Sequence, residues 1–237
     1  MKAPRHPMIA AWIAAWLVAL LTGCGTETGN PNLLFLGYNA RTSDPTAVAL
    51  DGDPGPVEVD TVWLRLGPVS ITGDCDVDAV VETFDGLGFA DHADPAPVVQ
   101  QLSLDADAAC AVATSFDVDP TATGEPADIA GTAVGITGLL DDGRAFVVAI
   151  DQPIALSFTL ADEAVPEDGE WLMSFDVATW LGGAVSTALD GDPAVVSADS
   201  NAAAYATIVD QLGEGTQLHL DADEDGQVDP GERRLDR

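Results

Sequence analysis

Basic residues are scarce: 8 Lys+Arg stand against 40 Asp+Glu in 237 residues, for a formal net charge of −32. Lys2 is the sole lysine. A nucleic-acid partner needs a basic face to neutralise phosphates, so this deficit excludes one. It also argues against electrostatic docking on anionic lipid headgroups. Histidine (3) and cysteine (3) are rare as well, and no HExxH, GxSxG, SxxK or Cys–His arrangement occurs among them. His92, inside Asp91-His92-Ala93-Asp94-Pro95, reads as an exposed loop residue rather than a catalytic base. Hydrophobic residues nonetheless make up 47% of the chain, too many for a disordered acidic tail, so the charge decorates a packed body. The length fits one medium domain with at most a small appendage.

The N-terminal segment departs from that body. Lys2 and Arg5 precede an uncharged run, Met8 to Leu21 (MIAAWIAAWLVALL), which is a positive n-region followed by an apolar h-region. The run is short for a spanning helix, which needs about 20 apolar residues. Leu21-Thr22-Gly23-Cys24 follows, and it resembles a bacterial lipobox. The resemblance implies that residues 1–23 are removed as a signal peptide and that Cys24 becomes a lipidated N-terminus. Two or more acyl chains give stable anchoring where one gives marginal binding. It also implies the cell envelope, with Gly25 in place of an inner-membrane-retaining Asp favouring the outer membrane. Residues 24–32 (CGTETGNPN) then read as the lipidated cysteine and a small, polar, turn-prone tether. Without residues 1–23 the chain carries six basic groups against 40 acidic ones, a net of −34.

Cys75 and Cys110 remain, an even number for an oxidising compartment, and are expected to form a disulfide. Closing a loop of about 36 residues could contribute roughly 3 to 4 kcal/mol on the chain-entropy account. A reactive or metal-binding thiol is the weaker reading, since Asp74, Asp76, Asp105 and Asp107 surround the two positions and oppose thiolate formation.

Residues 33–198 carry period-two alternation, the signature of strands. Val62, Leu64 and Leu66 share one face; Val98, Leu102 and Leu104 another; and Cys110, Val112, Thr114, Phe116 and Val118 a third. Ile154, Leu156, Phe158 and Leu160 alternate strictly, as do Trp171, Met173, Phe175 and Val177. Asp141-Asp142-Gly143 separates two apolar runs as a hairpin turn. Trp63, Trp171 and Trp180 lie in or beside these strands and read as core rather than as a carbohydrate platform. Leu50-Asp51-Gly52-Asp53-Pro54 recurs as Leu189-Asp190-Gly191-Asp192-Pro193, which reads as two acidic turns each opening a strand. The expected fold is mainly β, an antiparallel sandwich or barrel-like domain. Residues 199–237 follow as one amphipathic helix and a terminal loop. Tyr205, Ile208, Val209 and Leu212 at i, i+3, i+4 and i+7, after Asp199-Ser200-Asn201, predict a capped helix from about Asn201 to Leu212.

The terminal loop carries the chemistry. Asp221-Ala222-Asp223-Glu224-Asp225-Gly226-Gln227-Val228-Asp229-Pro230-Gly231-Glu232 satisfies D-x-D-x-D-G-x5-E at all twelve positions. It resembles an EF-hand calcium loop, and Ca²⁺ takes a flexible shell of 6 to 8 oxygens. The resemblance implies carboxylate oxygens from Asp221, Asp223 and Asp225, the backbone carbonyl of Gln227, Asp229 directly or through water, and both oxygens of Glu232. Gln217-Leu218-His219-Leu220 alternates as a strand rather than a helix, and Pro230 and Gly231 delay any exiting helix. The loop is therefore more similar to those of dockerins and other extracellular bacterial modules, although dockerins carry a second loop that is missing here. Asp74-Cys75-Asp76-Val77-Asp78 begins like one, but Ala79 and Asp85 stand at the glycine and glutamate places.

The whole resembles surface lipoproteins of Gram-negative bacteria. It leads to a non-enzymatic envelope protein that binds calcium and has a binding or structural role toward a protein or glycan. The alternatives are a surface hydrolase acting on glycans through a carboxylate pair and a dockerin-like docking module.

Overall fold

A computed structural model describes residues 32–41, 57–73, 80–91, 98–106, 108–121, 126–164, 170–185, 189–229 and 232–236. Residues 1–31, which the sequence leads one to expect as signal peptide, lipidated Cys24 and tether, lie outside the described residues, as do Cys75 with the acidic stretch around it, His92 and the first Leu-Asp-Gly-Asp-Pro copy.

Alternating apolar positions become strands β1 (Asn32–Arg41), β2 (Glu58–Leu66), β3 (Val69–Gly73), β4 (Val80–Phe84), β5 (Gly88–Asp91), β6 (Val98–Leu104), β7 (Ala108–Phe116), β8 (Val134–Leu139), β9 (Ala145–Ile150), β10 (Ile154–Ala164), β11 (Glu170–Asp176), β12 (Ala194–Val196), β13 (Thr216–Asp221) and β14 (Arg233–Arg234). Among the described residues two helices join them, α1 (Val177–Val185) and α2 (Ala202–Glu214). One sheet has the order β14-β13-β11-β1-β6. A larger sheet runs β12-β9-β8-β2-β7-β3-β4, with β10 also on β7 and β5 on β2. The fold is mainly β and sandwich-like. Its orientation is mixed, because β1 lies parallel to β11 and β12 parallel to β9. Periodicity within a strand says which residues face inward; it does not carry the direction of a partner some 130 residues away.

Successive side chains on a strand point to opposite faces, and the inward sets from both sheets meet in one core. Leu34, Leu36 and Tyr38 of β1 and Trp171, Met173 and Phe175 of β11 contribute from the smaller sheet. From the larger come Val62, Leu64 and Leu66 of β2, Val112 and Phe116 of β7, and Leu156, Phe158 and Leu160 of β10. Phe116, Phe175 and Trp180 form an aromatic trio with ring centroids 5.8–5.9 Å apart, which ties β7, β11 and α1 together. Such tilted and edge-on pairs add about 0.5–1.5 kcal/mol each beyond burial. The hairpin at Asp141-Asp142-Gly143 forms between β8 and β9, with Gly143 at φ 82° and the Leu140 N–H on the Arg144 carbonyl at 2.8 Å.

Two local expectations change. The alternation through Val177 predicts a strand, yet the strand ends at Asp176 and Val177 opens α1. The Asp176 carboxylate accepts the Thr179 N–H at 3.2 Å and the Thr179 hydroxyl at 3.0 Å, and an N-cap of this kind outweighs the period-two pattern at one residue. Asn201 does precede α2, but its side chain makes no cap bond and its backbone is left-handed, φ 53°. Its amide instead accepts the Asp190 N–H at 3.0 Å and donates to the carbonyls of Asp190 at 3.0 Å and Val195 at 2.8 Å. It thereby staples the second Leu-Asp-Gly-Asp-Pro turn, which leads directly into β12.

Trp180 is fully buried where the two sheets and α1 meet. Trp180→Ala is expected to lower unfolding free energy by about 3–5 kcal/mol; a denaturant titration giving a loss under about 1 kcal/mol would contradict this packing.

Candidate metal centre

β13 carries its chain to Asp221, its last residue, antiparallel to β11, and the register sets Asp221 opposite Glu170, the first residue of β11. Trp171, Met173, Phe175 and Leu218 turn into the core, so alternation sends Glu170, Leu172, Ser174, His219 and Asp221 to the opposite face. An outer sheet face is ordinarily wet, yet Leu172, Ser174 and Asp221 are 0% exposed, His219 5% and Glu170 7%. The terminal loop folds over this face. Asn39, on the same face of β1, donates from Nδ2 to the Gly226 carbonyl at 2.7 Å, which fixes the loop's middle to the sheet.

Within the loop the acidic side chains organise the backbone. Asp221 accepts the Glu224 N–H on Oδ1 at 2.7 Å and the Gly226 N–H on Oδ2 at 2.8 Å. Asp225 accepts the Gln227 N–H at 2.8 Å. Gly226 takes φ 73°, which is free of steric penalty only without a Cβ. Glu232 reaches across the loop: Oε1 accepts the Ala222 N–H at 3.2 Å and Oε2 the Asp229 N–H at 3.0 Å, while the Glu232 N–H returns to the Asp229 carbonyl at 3.1 Å.

The structure brings three of the six sequence-predicted ligands together. Carboxylate oxygens of Asp221, Asp223 and Asp225 lie within 4.8 Å of one another, Asp221 buried and the other two exposed. Gln227 and Asp229 continue the loop, and Glu232 is held at its mouth by backbone N–H groups rather than within that convergence. The donors are all oxygens, a hard set that suits Ca²⁺ or Mg²⁺ over a soft or borderline metal. His219 faces Gln217, with Nε2 3.3 Å from Oε1.

Sequence reasoning missed Glu170, Asn39 and Gly37. Glu170 Oε1 is buried without a hydrogen-bond partner. A Cβ on Gly37 would stand 2.7 Å from that oxygen, so the glycine in β1 makes room for the carboxyl. Burial, and after it the negative charges of Asp221 and Glu224 and a carboxyl–carboxyl hydrogen bond with Asp221, push the Glu170 carboxyl up to about 7. Partial burial, with Asp221 and Asp223 adding to it, raises Glu232 above the usual carboxylate range, against the lowering effect of its two N–H donors. One signal did exist: Trp171-Leu172-Met173 is unbroken apolar sequence, which marks a strand covered on both faces.

The remaining expected positions are elsewhere. Cys110 lies half-buried in β7 with Sγ 3.5 Å from the Thr72 carbonyl oxygen. Trp171 and Trp180 are in the core, so neither lines a cleft. Leu218 is buried and Val228 half-buried. Among the described residues no helix is long and apolar enough to cross a membrane.

No family model matches the chain, and no curated protein matches it significantly. A solved structure described as the NMR structure of a protein from Eubacterium rectale aligns over 63% of this chain and 82% of that one, at 11% identity and a TM-score of 0.24. Likeness at that level carries no argument about fold or function.

A carboxyl held near 7 in the folded chain and near the ordinary value when unfolded binds its proton more tightly when folded. Its contribution is therefore neutral below the unfolded value, falls as pH rises from about 4.5 to 7, and is level above. In chelator, Glu170→Gln is expected to match the native chain near pH 4.5 and to exceed its stability at pH 7.5, by on the order of 1 kcal/mol after allowance for screening. Denaturant unfolding at the two pH values checks this; equal stability at both would contradict it.

Proposed function

We propose that the chain is a lipid-anchored cell-envelope protein that binds Ca²⁺ through residues 221–232 and has a non-enzymatic binding or structural role. The observation that carries the calcium reading is the convergence of Asp221, Asp223 and Asp225 in a twelve-residue loop whose sixth residue is a glycine at positive φ. Asp223, Asp225, Gln227, Asp229 and Glu232 would supply the rest of an oxygen shell around Asp221. The bound ion contributes charge compensation: without it the carboxylates repel, and with it they draw the loop against the sheet. Such a site stabilises the fold; a sensor would need helices flanking the loop that swing to open a groove, and here a strand enters the loop.

The anchor rests on Lys2, Arg5, the apolar run and Leu21-Thr22-Gly23-Cys24, with Gly25 favouring the outer membrane. A disulfide between Cys75 and Cys110 fits the same compartment. Register supports it, since Thr72 and Gly73 of β3 pair with Ala111 and Ala109 on either side of Cys110, two residues before Cys75.

Calorimetric titration of Ca²⁺ into the unlipidated chain from residue 24 carrying Cys24→Ser tests the site; Pro31–Arg237 form one compact unit. Saturable binding is expected, with about 2.7 kcal/mol of stabilisation at a hundredfold excess over Kd and a melting temperature higher by several degrees. Asp223→Asn with Asp225→Asn, or Glu232→Ala, should abolish both. No heat and no shift at millimolar Ca²⁺ would overturn the calcium reading.

Cys24→Ser in the full precursor is expected to stop incorporation of labelled palmitate and to move the protein from the membrane to the soluble fraction. A variant that stays labelled and membrane-bound would contradict the anchor.

A further inference from the structure

The loop of residues 221–232 rests on a carboxyl that is not part of it. Glu170 is 51 residues before Asp221 in sequence, yet the antiparallel register of β11 and β13 sets the two side by side on the sheet's outer face. Its side chain leans along that face over Gly37, and Asn39, the next outward position of β1, is bonded to the Gly226 carbonyl. Asp221 and Asn39 thus both fasten the loop to the sheet, on the two strands that flank β11, the strand that carries Glu170. The residue is 93% buried by its 7% exposure, and Oε1 has no hydrogen-bond partner. The charged neighbours that act on it, Asp221 and Glu224, are both acidic, and the Asp221 carboxyl is close enough to share a hydrogen bond with it. A carboxylate in that position is a liability to the fold unless something positive sits above it. Glycine at position 37 keeps the space the carboxyl occupies, and an alanine there would close it.

We propose that Glu170 is a further oxygen ligand of the divalent cation, supplied by the sheet from beneath the loop. The inference rests on the calcium reading of residues 221–232 and extends it. A shell completed from β11 makes the ion a clamp between a terminal loop and the central strand of the smaller sheet, so that ion occupancy stabilises the domain rather than its C-terminal tail alone. It also supplies an oxygen that the loop would otherwise take from water, and both ligand charge and ligand number raise Ca²⁺ affinity.

The test uses the unlipidated chain, Glu170→Gln, Glu170→Ala and, as reference, Asp223→Asn. Ca²⁺ is titrated calorimetrically, and Tb³⁺ in its place reports the number of bound waters from luminescence lifetimes in H2O and D2O. Melting in chelator verifies that the Glu170 variants fold at least as well as the native chain, as relief of carboxylate repulsion requires. The expected result is affinity lower by roughly tenfold or more in both Glu170 variants, with about one more water on Tb³⁺ in Glu170→Ala. Native-chain binding that Asp223→Asn weakens, with unchanged affinity and hydration in both Glu170 variants, would overturn the proposal and leave the calcium loop standing. A native chain that binds neither ion would overturn both together.

Discussion

Negative charge gathered where water is largely excluded is the constraint on which the C-terminal half of this molecule depends. Asp221 and Glu170 are neighbours across a strand pair, both buried, and two further carboxylates, Asp223 and Asp225, converge on the first of them. Each backbone N–H that Asp221 accepts, from Glu224 and from Gly226, offsets part of the repulsion with a partial positive charge, and Glu232 is treated alike by Ala222 and Asp229. Backbone dipoles can hold such a loop in shape. They do not neutralise several formal charges, and a bound dication is the economical way to do so.

The hydrophobic core sets the positions of these charges. Because side chains alternate, the burial of Trp171, Met173 and Phe175 on one face of β11 fixes Glu170, Leu172 and Ser174 on the other, and the same holds for Leu218 against His219 and Asp221 on β13. A slip of one residue would send Glu170 into the apolar interior. The parallel pairing of β1 with β11 then brings Gly37 and Asn39 beside that face, one clearing space for a carboxyl and the other fastening the loop. The aromatic trio of Phe116, Phe175 and Trp180 secures the smaller sheet to the larger, so the loop sits on a rigid support.

Much of this was legible in the sequence, and the limits have physical causes. Strands with one wet face announce themselves by alternation, as β2, β7 and β10 do, and a two-residue-period hairpin with a glycine turn announces β8 and β9. The convergence of Asp221, Asp223 and Asp225 was readable because all three fall within one twelve-residue local motif. The buried setting of Glu170 was not, because it comes from register with Asp221, 51 residues on, which no local pattern encodes. Asn201 shows the reverse problem: the last residue of the stretch expected to cap α2 is spent on the 190–195 turn, since a side chain amide satisfies whichever backbone groups tertiary structure brings to it. Val177 was lost to the strand because Asp176 and Thr179 form a cap that overrides the apolar alternation.

The most direct test of the central claim is an anomalous-diffraction structure of crystals grown with Tb³⁺ in place of Ca²⁺. The expected result is one strong anomalous peak bonded to carboxylate oxygens of Asp221, Asp223 and Asp225, with Glu170 in the same shell from below. A peak elsewhere on the acidic surface, or none at this loop under saturating ion, would contradict the account.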